Sequence, residues 1–157
     1  MIDLTIPGRN IEMHLRYLLI DLNGTLTTGG VLIEGVLPRI KYLSERLEII
    51  LLTSDTYGSG KQVADELGIK MITVSGENGG LDKHTFLKAL DPKKTVAIGN
   101  GYNDRLMLKT AELSIIIIGT EGCCTEALLN SDIAVKNIID ALDLLVNPIR
   151  IAATLRS

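Results

Sequence analysis

The chain is expected to fold as a three-layer α/β/α unit of Rossmann-like type, with a mainly parallel sheet between two layers of helices. Short aliphatic runs bounded by turn residues recur along its 157 residues, among them RYLLIDL at 16–22, LEIILLT at 47–53 and LSIIII at 113–118. Near-continuous apolar runs of this length are the pattern of strands buried on both faces. Segments with apolar residues at helical spacing lie between them, and strand–helix alternation with right-handed crossovers generates a parallel sheet covered on both sides. The length suits one domain, 1–157, that buries roughly 68–70% of its unfolded surface. Its interior must be aliphatic, because 46% of residues are hydrophobic while only 3% are aromatic and Trp is absent.

Residues 2–6 alternate apolar and polar and are turned by Pro7-Gly8-Arg9-Asn10, which predicts a peripheral strand. The first buried strand follows over 16–22. Gly29-Gly30, between Leu26-Thr27-Thr28 and Val31-Leu32-Ile33, predicts a small hairpin. A helix is expected over 35–46, where Val36, Ile40, Leu43 and Leu47 share a face and Pro38 falls in the first turn. Then come a strand over 47–53, a helix over 61–67 stopped by Gly68, and a strand over 69–74. A helix over 82–90 is broken by Asp91-Pro92, and a strand over 95–98 ends in Gly99. Helices over 104–110 and 121–129, strands over 113–118 and 132–135, and a helix over 138–155 interrupted near Pro148 complete the chain.

Net charge is −3 and no long basic run is present, so general binding to nucleic acid or to an anionic membrane is not expected. No apolar run approaches the roughly 18–20 residues of a membrane span, and the N-terminus shows no secretory pattern. The expectation is a cytoplasmic protein. Cys123 and Cys124 are adjacent, which suits small packing residues in a reduced compartment. His14 and His84 stand alone and form no metal-like spacing.

In open parallel sheets ligands bind beyond the carboxyl ends of the strands, at the point where strand order reverses. Those ends carry Asp21-Leu22-Asn23-Gly24-Thr25, Thr53-Ser54-Asp55, and Gly99-Asn100-Gly101-Tyr102-Asn103-Asp104, with Lys83 near the start of the preceding helix. A carboxylate, hydroxyls, a lysine and an Asn/Asp-rich turn suit phosphoryl transfer with a hard cation such as Mg²⁺. Two near-motifs are set aside. Tyr57-Gly58-Ser59-Gly60-Lys61-Gln62 lacks the first glycine and the final Ser/Thr of a P-loop, and Gly99-Asn100-Gly101 lacks the third glycine of a dinucleotide fingerprint.

From about residue 16 to 145 these motifs resemble the haloacid dehalogenase-like superfamily, whose first motif is D-x-[DNT]-G-T-[LV]. The D-x-N-G-T and G-N-G-x-N-D segments are most similar to small soluble P-type ATPase-like phosphatases. The resemblance does not extend to the ATPases' membrane helices or nucleotide domain, so ion pumping is not expected. It implies Asp21 as the nucleophile that forms an aspartyl-phosphate, Thr53 as a phosphate ligand, and Lys83 as the neutralising lysine. Lys61 and Lys88 remain alternatives for that lysine. It also implies that Asn23 lends its backbone carbonyl to Mg²⁺, with Asp21, Asn100 and Asp104 in the metal shell. Asn23, Gly24, Thr25, Ser54 and Asn103 are then the substrate-binding positions.

Two departures bear on activity. Most phosphatases of this superfamily carry an Asp where Asn23 stands, and it exchanges a proton with the leaving group. Loss of such a group typically costs about 10²–10⁴-fold, so slow turnover on alkyl phosphates and better turnover on acyl or aryl phosphates is expected. Asn100 likewise replaces an Asp and removes one charge from the metal site. Neither the interval from Asp21 to Thr53 nor that from Thr53 to Lys83 has room for a cap domain, so a small phosphorylated substrate must be enclosed by something else. A second copy of the chain, a macromolecular substrate, or the hairpin at 26–33 is the expected cover. The alternatives are a capless sugar-acid phosphate phosphatase, which shares the L-T-x-G hairpin but carries Asp at the position of Asn23, and a phosphate-binding regulatory module with little turnover.

Overall fold

The computed structural model describes residues 1–55 and 58–157, so Tyr57 of the set-aside P-loop-like stretch lies outside the described residues. Strands β1 (Ile2–Ile6) and β2 (Ile11–Leu15) form an antiparallel hairpin, with Ile2 opposite Leu15. β2 was not expected, although Ile11, Met13 and Leu15 carry the same two-residue alternation as β1. β3 (Tyr17–Asp21) leads to a short hairpin of β4 (Thr27–Thr28) and β5 (Val31–Leu32), then α1 (Val36–Ser44) and β6 (Glu48–Thr53). α2 (Gly60–Leu67), β7 (Lys70–Thr73), α3 (Gly79–Leu90) and β8 (Thr95–Gly99) follow. The chain ends with α4 (Arg105–Thr110), β9 (Leu113–Ile117), α5 (Thr125–Leu129), β10 (Ile133–Val135), α6 (Ile138–Val146) and α7 (Ile149–Leu155).

Six strands form the central sheet in the order β10-β9-β8-β3-β6-β7, every neighbouring pair parallel. The expected α/β/α architecture is therefore present. Alternation along β3 explains why both sheet faces are covered. Leu18 and Ile20 join one apolar cluster with side chains from α1, α2, α6 and α7, while Leu19 joins another with Leu87, Met107, Leu108 and Ala127. Burying a Leu or Ile side chain stabilises by roughly 1.5–3 kcal/mol, so a polar substitution at any of these three positions would disrupt a layer.

Of the expected boundaries that shift, three lie near the carboxyl ends of the strands. α3 starts at Gly79 rather than 82, three residues earlier. Residues 102–104 form a 3₁₀ turn, and α4 begins only at Arg105. The helix expected over 121–129 starts at Thr125, because Gly122 adopts φ 75° and Cys124 N–H donates to Asn100 O, which takes 119–124 out of helical hydrogen bonding.

The chain runs from β3 to β6 and β7 on one flank, then returns to β8 on the other flank of β3. That reversal places the carboxyl ends of β3, β6 and β8 around one crevice. Among the described residues, the intervals Asp21 to Thr53 and Thr53 to Lys83 hold only the β4–β5 hairpin, α1, β6, α2, β7 and the start of α3. No helix among the described residues is long and apolar enough to cross a membrane.

Candidate active site

Asp21 is the last residue of β3, and Thr53 is the last of β6. A strand end within a buried sheet gives each polar group a fixed direction without backbone hydrogen-bond loss. Asp21 is 6% exposed and Thr53 1% exposed, so both belong to the protein interior.

Lys83 reaches this point from the second turn of α3. Its ammonium donates to Asp21 Oδ1 at 2.6 Å and to Asp104 Oδ1 at 2.7 Å, and neither Lys83 nor Asp104 has any solvent exposure. The lysine is thereby distinguished from its rivals. Lys61 pairs with Asp65 on an exposed helix face, and Lys88 is exposed on α3. α3 can approach because Gly80 has no side chain: a Cβ there would sit 3.1 Å from Asn103 O.

Asp104 uses its other oxygen on the loop, where Oδ2 accepts the backbone N–H groups of Asn100 at 3.0 Å and Gly101 at 2.9 Å. Expected in the metal shell, Asp104 thus has both oxygens on the lysine and the loop. Gly99 is required beneath it, since a Cβ there would lie 2.5 Å from Asp104 Cγ.

Thr25, fully buried, places its hydroxyl 3.3 Å from Asp21 Oδ2 and 3.2 Å from Asn100 Oδ1. It has one proton and can donate to one of them at a time. Asn100 Nδ2 donates to Gly122 O at 3.3 Å. The turn beneath is held by Gly24 at φ 77°, where a Cβ would come within 2.3 Å of Asn100 Nδ2. Thr53 Oγ1 accepts from Asp55 N–H at 3.0 Å, and Asp55 Oδ1 accepts from Gly60 N–H at 2.7 Å at the start of α2.

These residues surround a cavity of about 270 Å³ lined by Asp21, Asn23, Thr53, Ser54, Asn100, Gly101 and Asn103. Of the residues expected from sequence, Asp21, Asn23, Thr53, Ser54, Asn100 and Asn103 line this cavity, while Thr25 and Lys83 bond to Asp21, Asp104 bonds to Lys83, and Gly24 packs on Asn100. Sequence reasoning overlooked Gly80 and Gly99. Gly99 has a signal, since it opens the G-N-G-x-N-D segment, whereas Gly80 is marked only by its closeness to Asn103 in space.

Electrostatics set the protonation states. Burial, then repulsion from Asp104, pushes the Asp21 carboxyl up to about 6, while Lys83 pulls it the other way. Burial opposes charge on Lys83, but Asp104 and Asp21 outweigh it, and the ammonium pKa is raised. Lys83 therefore stays cationic between two acids.

The donors that remain are all oxygens, which suits a hard divalent cation. Asn23 Oδ1 is buried without a hydrogen-bond partner, so it is an acceptor in need of a cation or a water proton. No group of three or more His, Cys, Asp or Glu side chains stands together among the described residues. A cation would rely on the Asp21 carboxylate, the Asn23 backbone carbonyl and the Asn100 amide oxygen, an all-oxygen set that fits Mg²⁺ but holds two acids fewer than a three-carboxylate site.

No family model matches the chain. It is 49% identical over 90 residues to the uncharacterized protein MJ0073 of Methanocaldococcus jannaschii, a match spanning 97% of that protein and 53% of this chain. Among solved structures it is similar to the cobalt-bound deoxy-D-mannose-octulosonate 8-phosphate phosphatase of Haemophilus influenzae, with a TM-score of 0.70, 14% identity and coverage of 88% of this chain and 89% of that one. The 3-deoxy-D-manno-octulosonate 8-phosphate phosphatase of Moraxella catarrhalis, in complex with magnesium ion, phosphate ion and KDO, gives a TM-score of 0.67 at 16% identity, over 89% and 93% of the two chains. A phospho-aspartyl intermediate analogue of phosphoserine phosphatase gives 0.66 at 16% identity, over 85% and 99%.

Proposed function

Since the chain belongs to the family of MJ0073 and has the haloacid dehalogenase-like fold, we propose that it is a Mg²⁺-dependent phosphatase or phosphotransferase working through an aspartyl-phosphate on Asp21. The observation that carries this reading is the buried Asp21–Lys83–Asp104 chain of short contacts at the strand-order reversal. A carboxylate there is costly to keep in the interior unless it is used. The similar structures named as phosphatases, one with magnesium and phosphate and one a phospho-aspartyl analogue, support the same reading.

In the reaction an Asp21 oxygen attacks phosphorus, the bond from phosphorus to the leaving oxygen breaks, and that oxygen departs with the electron pair. Oδ2, which lies 3.3 Å from the Thr25 hydroxyl and does not carry the Lys83 contact, serves as the attacking atom. Lys83 fixes Oδ1 and offsets the repulsion between an anionic nucleophile and an anionic phosphate. Thr53 and the backbone N–H groups beside it receive the phosphoryl oxygens. Asp104 acts through Lys83 and the loop. When bound, Mg²⁺ supplies further charge neutralisation to the transferring phosphoryl group. Asn23 cannot protonate a leaving alkoxide, which favours acyl and aryl phosphates as donors.

The cavity is covered by a second copy of the chain or by the substrate itself. Incubation with acetyl phosphate and Mg²⁺ should yield an acid-stable, base-labile phosphoenzyme that Asp21→Asn abolishes. Its absence across several acyl and aryl donors would favour a phosphate-binding module with little turnover.

A further inference from the structure

Beside the cavity over Asp21 lies a second one of about 220 Å³, and the two share Ser54 and Asn103 in their walls. Its remaining walls come from the 75–81 segment on one side and from Tyr102, Arg105 and Leu106 on the other. It offers room for a group on the order of six or seven non-hydrogen atoms. If the phosphate sits over Asp21, this is where the rest of the substrate extends.

Arg105 is the cation of that space. Its guanidinium lies 3.7 Å from the centroid of the Tyr102 ring, its NH1 donates to Tyr102 O at 3.2 Å, and its Nε donates to Glu126 at 3.1 Å. These contacts hold the planar group in place with its side chain only 23% exposed. Of the five N–H donors of an arginine, three have no partner among the described residues. Glu126 is 58% exposed, so it neutralises the guanidinium only weakly. Glu77, the other charged group at this cavity, stands exposed on the opposite wall.

The geometry points to Arg105 as a specificity-determining residue that receives a carboxylate on the leaving group, so that the substrates are small acyl or aryl phosphates whose leaving group also carries a carboxylate. This rests on the phosphate site proposed above and extends it to the substrate class. A fixed fork of N–H donors matches a carboxylate in a way that a neutral group does not, and a charge-assisted pair of this kind discriminates by roughly tenfold to a hundredfold. The exposed Leu81 and Tyr102 at the rim would cover the carbon chain between phosphate and acid.

The test uses two stable ligands that differ only at the far end, 3-phosphonopropionate and propylphosphonate, titrated calorimetrically into the full chain with Mg²⁺. The wild type should bind the acid at least tenfold more tightly. Arg105→Met should collapse that ratio, and Arg105→Lys, which keeps the charge, should retain part of it. A loss of fold or of general binding would weaken both ligands together and would not move the ratio. Equal affinities in the wild type, or a ratio unchanged in Arg105→Met, would overturn the inference while leaving the phosphate site intact. Failure of both phosphonates and of inorganic phosphate to bind would overturn the phosphate site and the inference with it.

Discussion

The Lys83 ammonium stands 2.6 Å from Asp21 Oδ1, with the lysine entirely shielded from water and the aspartate nearly so. Because Asp104 Oδ1 contacts the same nitrogen at 2.7 Å, Lys83 serves two buried acids at once. Removing one member of a buried ionic group typically costs about 3–5 kcal/mol, since its partners stay buried without compensation. Lys83→Met should therefore lower stability by that amount in urea unfolding, and Lys83→Met should form no phosphoenzyme. Lys61→Met removes an exposed pair with Asp65 and should change stability by less than about 0.5 kcal/mol. Equal effects of the two substitutions would refute the assignment.

Asp21 itself opposes folding when it is ionised and no cation is bound. Its carboxyl keeps its proton up to about 6 in the folded chain, against an ordinary value of 3.8. The folded state thus binds the proton more tightly, and stability must fall as pH rises from about 4 to 6, then level off. Asp21→Asn abolishes that loss. In EDTA its advantage over wild type should grow from near zero at pH 4 to the order of 1–3 kcal/mol above pH 6. Thermal unfolding at pH 4.5, 6.5 and 8 measures this, and an advantage that shrinks with pH would contradict it.

Positions that depend on a single strand were legible in the sequence. Asp21 and Thr53 close apolar runs, and a run buried on both faces forces its terminal polar residue to the sheet edge. The resemblance singles out Lys83 but leaves Lys61 and Lys88 as alternatives, because all three are lysines on expected helices; the contact with Asp21 and Asp104 that distinguishes Lys83 depends on how α3 packs. The same limit applies to Gly80, whose importance lies in what would meet its missing Cβ. β2 escaped notice because a five-residue alternation merges with the run that follows it. The 119–124 loop reads as helical until Gly122 and the bond from Cys124 N–H to Asn100 O are seen.

Gly99 tests the loop geometry separately from the ionic chain. A methyl group at this position would intrude on Asp104, whose Cγ lies 2.5 Å from the site of a Cβ. Overpacking in such a place typically costs about 1–3 kcal/mol. Gly99→Ala should lose that much stability and should reduce phosphoenzyme formation at least tenfold, because Asp104 can no longer hold Lys83 and the Asn100 and Gly101 N–H groups together. Normal phosphoenzyme levels in a folded Gly99→Ala protein would show that this anchoring is dispensable.

Asn23 should limit the chemistry at the leaving group. Asn23→Asp introduces a group able to carry a proton beside the cavity, and general acid catalysis is worth about 10²–10⁴-fold. Turnover of an alkyl phosphate should rise by at least tenfold, with a much smaller change for acetyl phosphate, whose leaving group needs no proton. Steady-state rates on the two substrates decide it, and no gain on the alkyl phosphate would count against the role assigned to Asn23.

Asn100 combines two demands that pull in opposite directions. Its Nδ2 donates to Gly122 O at 3.3 Å, and its Oδ1 accepts from Thr25 near Asp21. An Asp in its place would set a carboxylate oxygen against the Gly122 carbonyl and add a negative charge beside Asp21. Asn100→Asp should therefore destabilise the metal-free protein by roughly 0.5–1.5 kcal/mol, the usual net worth of one hydrogen bond. The same charge should strengthen cation binding, since hard-cation affinity rises with the number of carboxylate ligands. Thermal unfolding across a Mg²⁺ titration should start lower for Asn100→Asp than for wild type and climb more steeply. Parallel curves would mean that the missing charge at position 100 does not set the affinity for the ion.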